Sequence, residues 1–305
     1  MAKVDRLVYA IFEVKSLPKW RDHIATMYGL RLQPSRRVGE FEAVIDADGC
    51  RLIFREGDAD DIVGMGWQAS DLDGLQTQLA GRGSNAEWMT EDYVKDRGAG
   101  RVLRTVDPTG VEIDVVDTTA SHNPYSAPDH DLTYVTGELG FGHLTFFHPD
   151  LEGFERFYTE GLGLLISDHN ELSVAAGIPM RVGFYRANPR HHSIAVAALH
   201  GPRRLAHFML EVPERNAVGL GFERAKKARI PIAHKLGVHP NDNLFTFYTI
   251  SPSGFETELG AEGRLLEDTD PPGMFHGFSI WGHEMPPAQK ARMLKIVLRS
   301  RFLSH

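Results

Sequence analysis

The stretch His234–Gly260, HKLGVHPNDNLFTFYTISPSGFETELG, decides how the rest of the chain is read. Asn243 to Ile250 is rich in aromatic and β-branched residues, Ser-Pro-Ser-Gly marks a turn, and Phe255 to Leu259 alternates, so the spacing predicts strand, tight turn, strand. In the second strand Phe255, Thr257 and Leu259 share one face, and Glu256 and Glu258 share the other. A carboxylate between such apolar neighbours needs a charge partner or a metal. A Pro-Ser-Gly loop with Gly254 at positive φ sets Tyr248 opposite Glu258, whereas a two-residue loop sets Thr257 there. The first register is favoured, though the sequence does not force it.

Working outward, two segments follow one plan. LVYAIFEV (7–14) and FGHLTFFH (141–148) read as opening strands, each followed by an amphipathic helix that ends in Gly-Leu. The first helix carries Leu17, Trp20, Ile24 and Met27 on one stripe; the second carries Leu151, Phe154, Phe157 and Tyr158, with Asp150 as its N-cap. Each segment closes on the same hairpin, DPTGVEIDVV (107–116) and SPSGFETELG (251–260), and each holds a second strand–helix unit between. The expected class is α+β, two tandem domains built of paired βαβββ modules. The polar, Pro-containing TTASHNPYSAPDHD (118–131) is the natural linker, giving domains 1–130 and 131–305. A basic helix near the C-terminus, PPAQKARMLKIVLRSRF, reads as a packed surface element.

Composition excludes several classes. The 305 residues are 42% hydrophobic and 24% charged, enough apolar mass for two cores. A formal charge of −8 offers no basic footprint for nucleic acid, and no apolar run approaches a membrane span. The N-terminus is charged from the start and lacks a signal-peptide core, and Cys50 is alone, so a reducing cytoplasm is the expected location. Of 15 histidines only His23 precedes residue 122, a bias that solubility does not require and that metal or proton chemistry would use.

Laid against each other, the halves differ at telling places. The second has His143 where the first has Tyr9, His207 where the first has Met65 or Gly66, and Glu258 where the first has Asp114. Duplication followed by loss of one site explains that pattern. Two imidazoles and one carboxylate, with coordination positions left open, is the donor set of non-heme Fe(II) oxygenases. Taken singly, each histidine reads as well as a hydrogen-bonded core residue, and Glu258 as half of a salt bridge.

The order of motifs joins them. FGHLTFF around His143, RHHSIA around His192, LAHFMLEV around His207, GVHPND around His239, LFTFY ending at Tyr248 and SPSGFETELG around Glu258 resemble the type I extradiol ring-cleaving dioxygenases of the vicinal oxygen chelate (glyoxalase-like) fold. The resemblance covers nearly the whole chain and is nearest to the enzymes acting on 2,3-dihydroxybiphenyl and 1,2-dihydroxynaphthalene. It implies an Fe(II) centre, with Mn(II) the minority alternative, held by His143, His207 and Glu258 in the second domain, the first domain being metal-free. It implies His192 as acid/base, with His191 adjacent and the following Ser-Ile-Ala favouring His192. It implies His239 and Tyr248 on the catechol and oxygen, with Phe184, Asn241 and Asp242 lining or supporting the pocket, although Asp242 also reads as a turn cap. Catechol and O₂ are the implied partners, in a homo-oligomer. Two other readings stand beside this one: a metal-free protein that sequesters aromatic ligands, and a lyase or isomerase such as a glyoxalase.

Overall fold

A computed structural model describes residues 1–119, 132–174 and 178–303. Most of the linker expected at 118–131 lies outside the described residues. Two mixed sheets carry the fold. The first has eight strands: β1 (Arg6–Val14), β2 (Arg31–Pro34), β3 (Glu40–Val44), β4 (Arg51–Glu56), β5 (Asp61–Gln68), β6 (Glu87–Trp88), β7 (Val102–Val106) and β8 (Glu112–Val116). Their order is β2-β3-β4-β1-β5-β8-β7-β6, so two βαβββ modules meet along β1 and β5. The second sheet holds β9 (Gly142–Phe147), β10 (Leu165–Val174), β11 (Ile178–Arg186), β12 (Ile194–Ala197), β13 (Leu205–Val212), β14 (Ile232–Val238), β15 (Phe245–Ile250) and β16 (Glu256–Ala261). It repeats the arrangement, with modules meeting along β9 and β13, and adds β17 (Gly273–His276) and β18 (Trp281–Gly282) at its two edges. The expected module plan is therefore the one the chain adopts.

Helices α1 (Leu17–Tyr28), α2 (Leu72–Gly81), α3 (Glu91–Arg97), α4 (Leu151–Arg156), α5 (Arg215–Lys227) and α6 (Pro287–Leu303) complete the chain. The stripe expected on α1 buries Trp20, Ile24 and Met27, and Gly29 at φ 58° ends that helix in the left-handed region. Asp150 caps α4 as expected, its Oδ1 accepting from the Gly153 amide at 2.8 Å. Beyond Arg156 the helix widens into a π turn over Phe157–Gly161, which still buries Tyr158. One hydrophobic cluster runs across both sheets: Phe12 stacks on Phe255 at 5.7 Å, and the Trp20 indole donates to Ser253 Oγ at 2.8 Å. Among the described residues no helix is long and apolar enough to cross a membrane.

His23 sits where α1 meets β16, 6% exposed, its Nε2 3.5 Å from Thr257 Oγ1. Burial pushes its pKa down from 6.5 to about 4. The folded protein thus keeps the ring neutral while the unfolded chain protonates it near 6.5. Its stabilising share is whole above that value, declines as pH falls towards 4, and then declines no further. A shift of this size corresponds to about 3 kcal/mol. Urea unfolding at pH 6.5 and pH 4 should show His23→Gln losing about 3 kcal/mol less than wild type across that interval. Equal losses would mean that His23 is not held neutral.

Candidate active site

The hairpin that opened the sequence reading fixes the site. Tyr248 pairs with Glu258 across β15 and β16, and Gly254 has φ 86°, so the three-residue loop is the one formed. Phe255, Thr257 and Leu259 face the core, and Glu258 is fully buried on the opposite face. In parallel pairing with β16, β13 sets His207 against Glu256 and Met209 against Glu258; in antiparallel pairing with β9, it sets Met209 against His143. Three neighbouring strands therefore deliver His143, His207 and Glu258 to one point.

Their donor atoms form a near-equilateral triangle. His143 Nε2 is 3.1 Å from both His207 Nε2 and Glu258 Oε2, and His207 Nε2 is 3.2 Å from Glu258 Oε2. Bonds of roughly 2.1 Å meeting at right angles at a cation place such donors about 3 Å apart. Burial, opposed by Glu258, lowers the His143 pKa to about 4, so at neutral pH the ring has a lone pair to give. Burial works against the Glu258 charge too, but contacts with His143, His207 and His239 outweigh it and hold its carboxyl well below the usual range. Glu258 Oε1 is buried without a hydrogen bond. Two imidazole nitrogens crowding one carboxylate oxygen, with the other oxygen left without a hydrogen bond, are the surroundings a divalent cation satisfies, and the residues fit a metal.

The remaining expected residues gather around this point. The His192 ring stacks on His143 with centroids 3.9 Å apart and meets Phe184 edge-on at 4.9 Å. His192 and Phe184 line the cavity. His191 does not; it is buried behind its neighbour, its Nε2 2.5 Å from Asp168 Oδ2. The backbone thus separates the two histidines that the motif left side by side. Tyr248 Oη lies 2.7 Å from His239 Nε2, and His239 Nδ1 donates to the Phe278 carbonyl at 2.7 Å. A carbonyl can only accept, so the Nδ1 hydrogen is fixed; burial works against a charge on this ring, but Glu258, Asp242 and the Phe278 carbonyl outweigh it and raise its pKa, and the protonated ring donates from Nε2 to the phenol oxygen. Burial raises the Tyr248 pKa well above its usual value, with Glu258 adding to the effect, so the phenol keeps its proton. Asp242 serves both readings: Oδ1 accepts from the Leu244 amide at 3.1 Å, and Oδ2 lies 3.9 Å from His192 Nδ1. Asn241 is buried beside it on the cavity wall.

The cavity holds about 720 Å³, ample for a small aromatic ligand. Much of its wall is apolar: Phe147, Leu172, Met180, Val182 and Ala197 belong to a small cluster of their own. The C-terminal helix differs from expectation. Instead of only covering surface, α6 turns Met293 and Ile296 into the cavity, while Arg292 is tied to the Gly254 carbonyl of the hairpin turn. Its weak amphipathic pattern concealed that role.

The corresponding place in the first half is filled by protein. Tyr9 pairs with Gly66 and Gly66 with Asp114, as His143 pairs with Met209 and Met209 with Glu258. Counting along the ladders makes Gly64, not Met65 or Gly66, the counterpart of His207; a strand's period of two does not fix register without its partner. Asp114 accepts from Tyr9 and Tyr93 at 2.9 and 2.7 Å and from Arg104 Nε at 2.8 Å. A guanidinium thus stands beside the carboxylate there.

Comparison with known proteins agrees. The family model described as Glyoxalase/Bleomycin resistance protein/Dioxygenase superfamily matches residues 140–262. A 3-methylcatechol 2,3-dioxygenase from Pseudomonas putida is 31% identical over 92% of this chain and 98% of its own. The chain belongs to the extradiol dioxygenases of this superfamily. A biphenyl-2,3-diol 1,2-dioxygenase from Metapseudomonas furukawaii is 29% identical over 92% of this chain and 94% of its own. The crystal structure of a halotolerant catechol dioxygenase superposes with a TM-score of 0.87 at 27% identity, covering 94% of this chain and 97% of that one. The chain is accordingly an extradiol-type dioxygenase with a metal cofactor.

Proposed function

We propose that the protein opens the ring of an apolar-substituted catechol beside its two hydroxyls, using O₂ and Fe(II) held by His143, His207 and Glu258. The triangle of donors at one pole of an apolar cavity is the observation that carries this reading. Bound there, the metal would act as a Lewis acid that stabilises a catecholate and carries electron density from ring to oxygen. The side chains supply the rest. His192, above the His143 ring, takes a hydroxyl proton and later returns one. His239 and Tyr248, hydrogen-bonded to each other on the cavity wall, would turn the phenol O–H towards the diol or oxygen. Phe184 and the small apolar cluster hold the substituent and exclude water, while Asn241 and Asp242 brace the wall. The first half, with Arg104 on Asp114, contributes packing and no metal.

The names of the relatives suggest the panel: 2,3-dihydroxybiphenyl, 1,2-dihydroxynaphthalene and 3-methylcatechol. Iron-loaded protein mixed aerobically with each should give a coloured ring-opened product, with kcat/KM rising as the apolar substituent grows. Colourless mixtures throughout would reject the activity. Iron analysis of anaerobically purified protein separates this from a sequestering role, which calls for no stoichiometric metal.

A further inference from the structure

Behind His192 lies a buried chain of polar groups that the reaction as described does not use. Asp168 on β10 receives the Gly273 amide at Oδ1, 2.8 Å away, and faces His191 Nε2 with Oδ2 at 2.5 Å. His191 Nδ1 in turn faces His192 Nδ1 at 3.1 Å. All three side chains are almost wholly buried: Asp168 is 4% exposed, His191 2% and His192 4%. His192 Nε2 has no hydrogen-bond partner among the described residues, and its ring lines the cavity.

Donor and acceptor roles follow in sequence. An ionised carboxylate only accepts, so His191 carries its hydrogen on Nε2. With its one hydrogen on Nε2, the His191 ring has a lone pair on Nδ1 and accepts across 3.1 Å from His192. Asp242 Oδ2, 3.9 Å from the same His192 nitrogen, favours a hydrogen there as well. We propose that Asp168 and His191 are positioning residues that hold His192 in its Nδ1–H tautomer, leaving the Nε2 lone pair free for a substrate hydroxyl in the cavity. The inference rests on the reading of His192 as the proton acceptor. In that step the substrate O–H bond breaks, the proton joins Nε2, and the electron pair stays on the substrate oxygen. The negative charge of Asp168 lies along the hydrogen-bonded chain behind the new imidazolium. The other order of hydrogens, with Nε2–H on His192, would point a donor at the hydroxyl and block the transfer.

Asp168→Asn tests the order, because an amide NH₂ can donate to His191 Nε2 and reverse the chain, while its carbonyl still accepts from Gly273. Turnover should fall about 100-fold or more, with KM and metal content nearly unchanged. In a His192→Gln background the same substitution should change kcat less than about twofold, since the group it orients is gone. A residue that merely supports the fold would cost the same factor in both backgrounds, and that result would overturn the proposal. Imidazole ¹⁵N NMR of the metal-free wild type reads the tautomer directly. It should show a protonated Nδ1 and an unprotonated Nε2 on His192; the reverse would also overturn the proposal. The NMR result stands whether or not any catechol is cleaved, so failure of the activity and failure of the tautomer are told apart.

Discussion

Glu258→Gln is expected to yield a folded protein that binds metal poorly and opens no catechol ring. Glu258 is fully buried and is the only anion among the three donors. The amide keeps the shape and an accepting oxygen but removes the charge that offsets a divalent cation. With two imidazoles and an uncharged amide left, metal retained after desalting should drop below about a tenth of the wild-type level, and turnover by about 1,000-fold or more. Added Fe(II) under anaerobic conditions should raise the unfolding temperature of wild type and leave that of the variant unmoved. Stoichiometric metal and normal turnover in Glu258→Gln would refute the donor set.

What the sequence disclosed was what local chemistry determines. Gly254 and the alternation of Phe255 to Leu259 set the hairpin, and the hairpin set Tyr248 against Glu258. The repeat of that hairpin at Asp107–Val116 disclosed the duplicated modules. Three features escaped because they depend on partners distant in sequence. The equivalence of His207 with Gly64 needs the ladders to β16 and β8. Arg104, which stands opposite Asp114 as Tyr248 stands opposite Glu258, looks like an ordinary strand arginine until Asp114 is seen beside it. Asp168 lies 23 positions before His191, on β10, and nothing in SDHN marks it as the residue that separates the roles of two adjacent histidines. The motifs singled out His143, His207 and Glu258, which the fold brings together; only the packing shows what holds them in place.

Gly142→Ala should be among the most damaging single-methyl changes in the chain, although Gly142 touches no substrate. It precedes His143 on β9, at φ +147°, and a Cβ there would lie 2.0 Å from the Met209 carbonyl oxygen and 3.0 Å from its carbon. These are backbone atoms of β13, the strand that also carries His207, so no side chain can swing aside. The variant must either accept an unfavourable backbone angle or open the β9–β13 ladder where two of the three donors are aligned, a loss of about 3–5 kcal/mol in urea unfolding. Gly219→Ala is the matching control. That glycine lies within α5, has no positive φ, and leaves open space for 4 Å around the point where a Cβ would sit, so the same methyl should stabilise by about 0.5–1 kcal/mol. If opening of the ladder is what costs the stability, His143 moves away from His207 and Glu258 with it. Metal affinity measured well below the unfolding temperature should then fall in Gly142→Ala and stay at the wild-type level in Gly219→Ala. A Gly142→Ala protein as stable as wild type and with full metal affinity would show that β9 and β13 can separate without disturbing the centre, and that the close approach of the two strands does not set the triangle of donors.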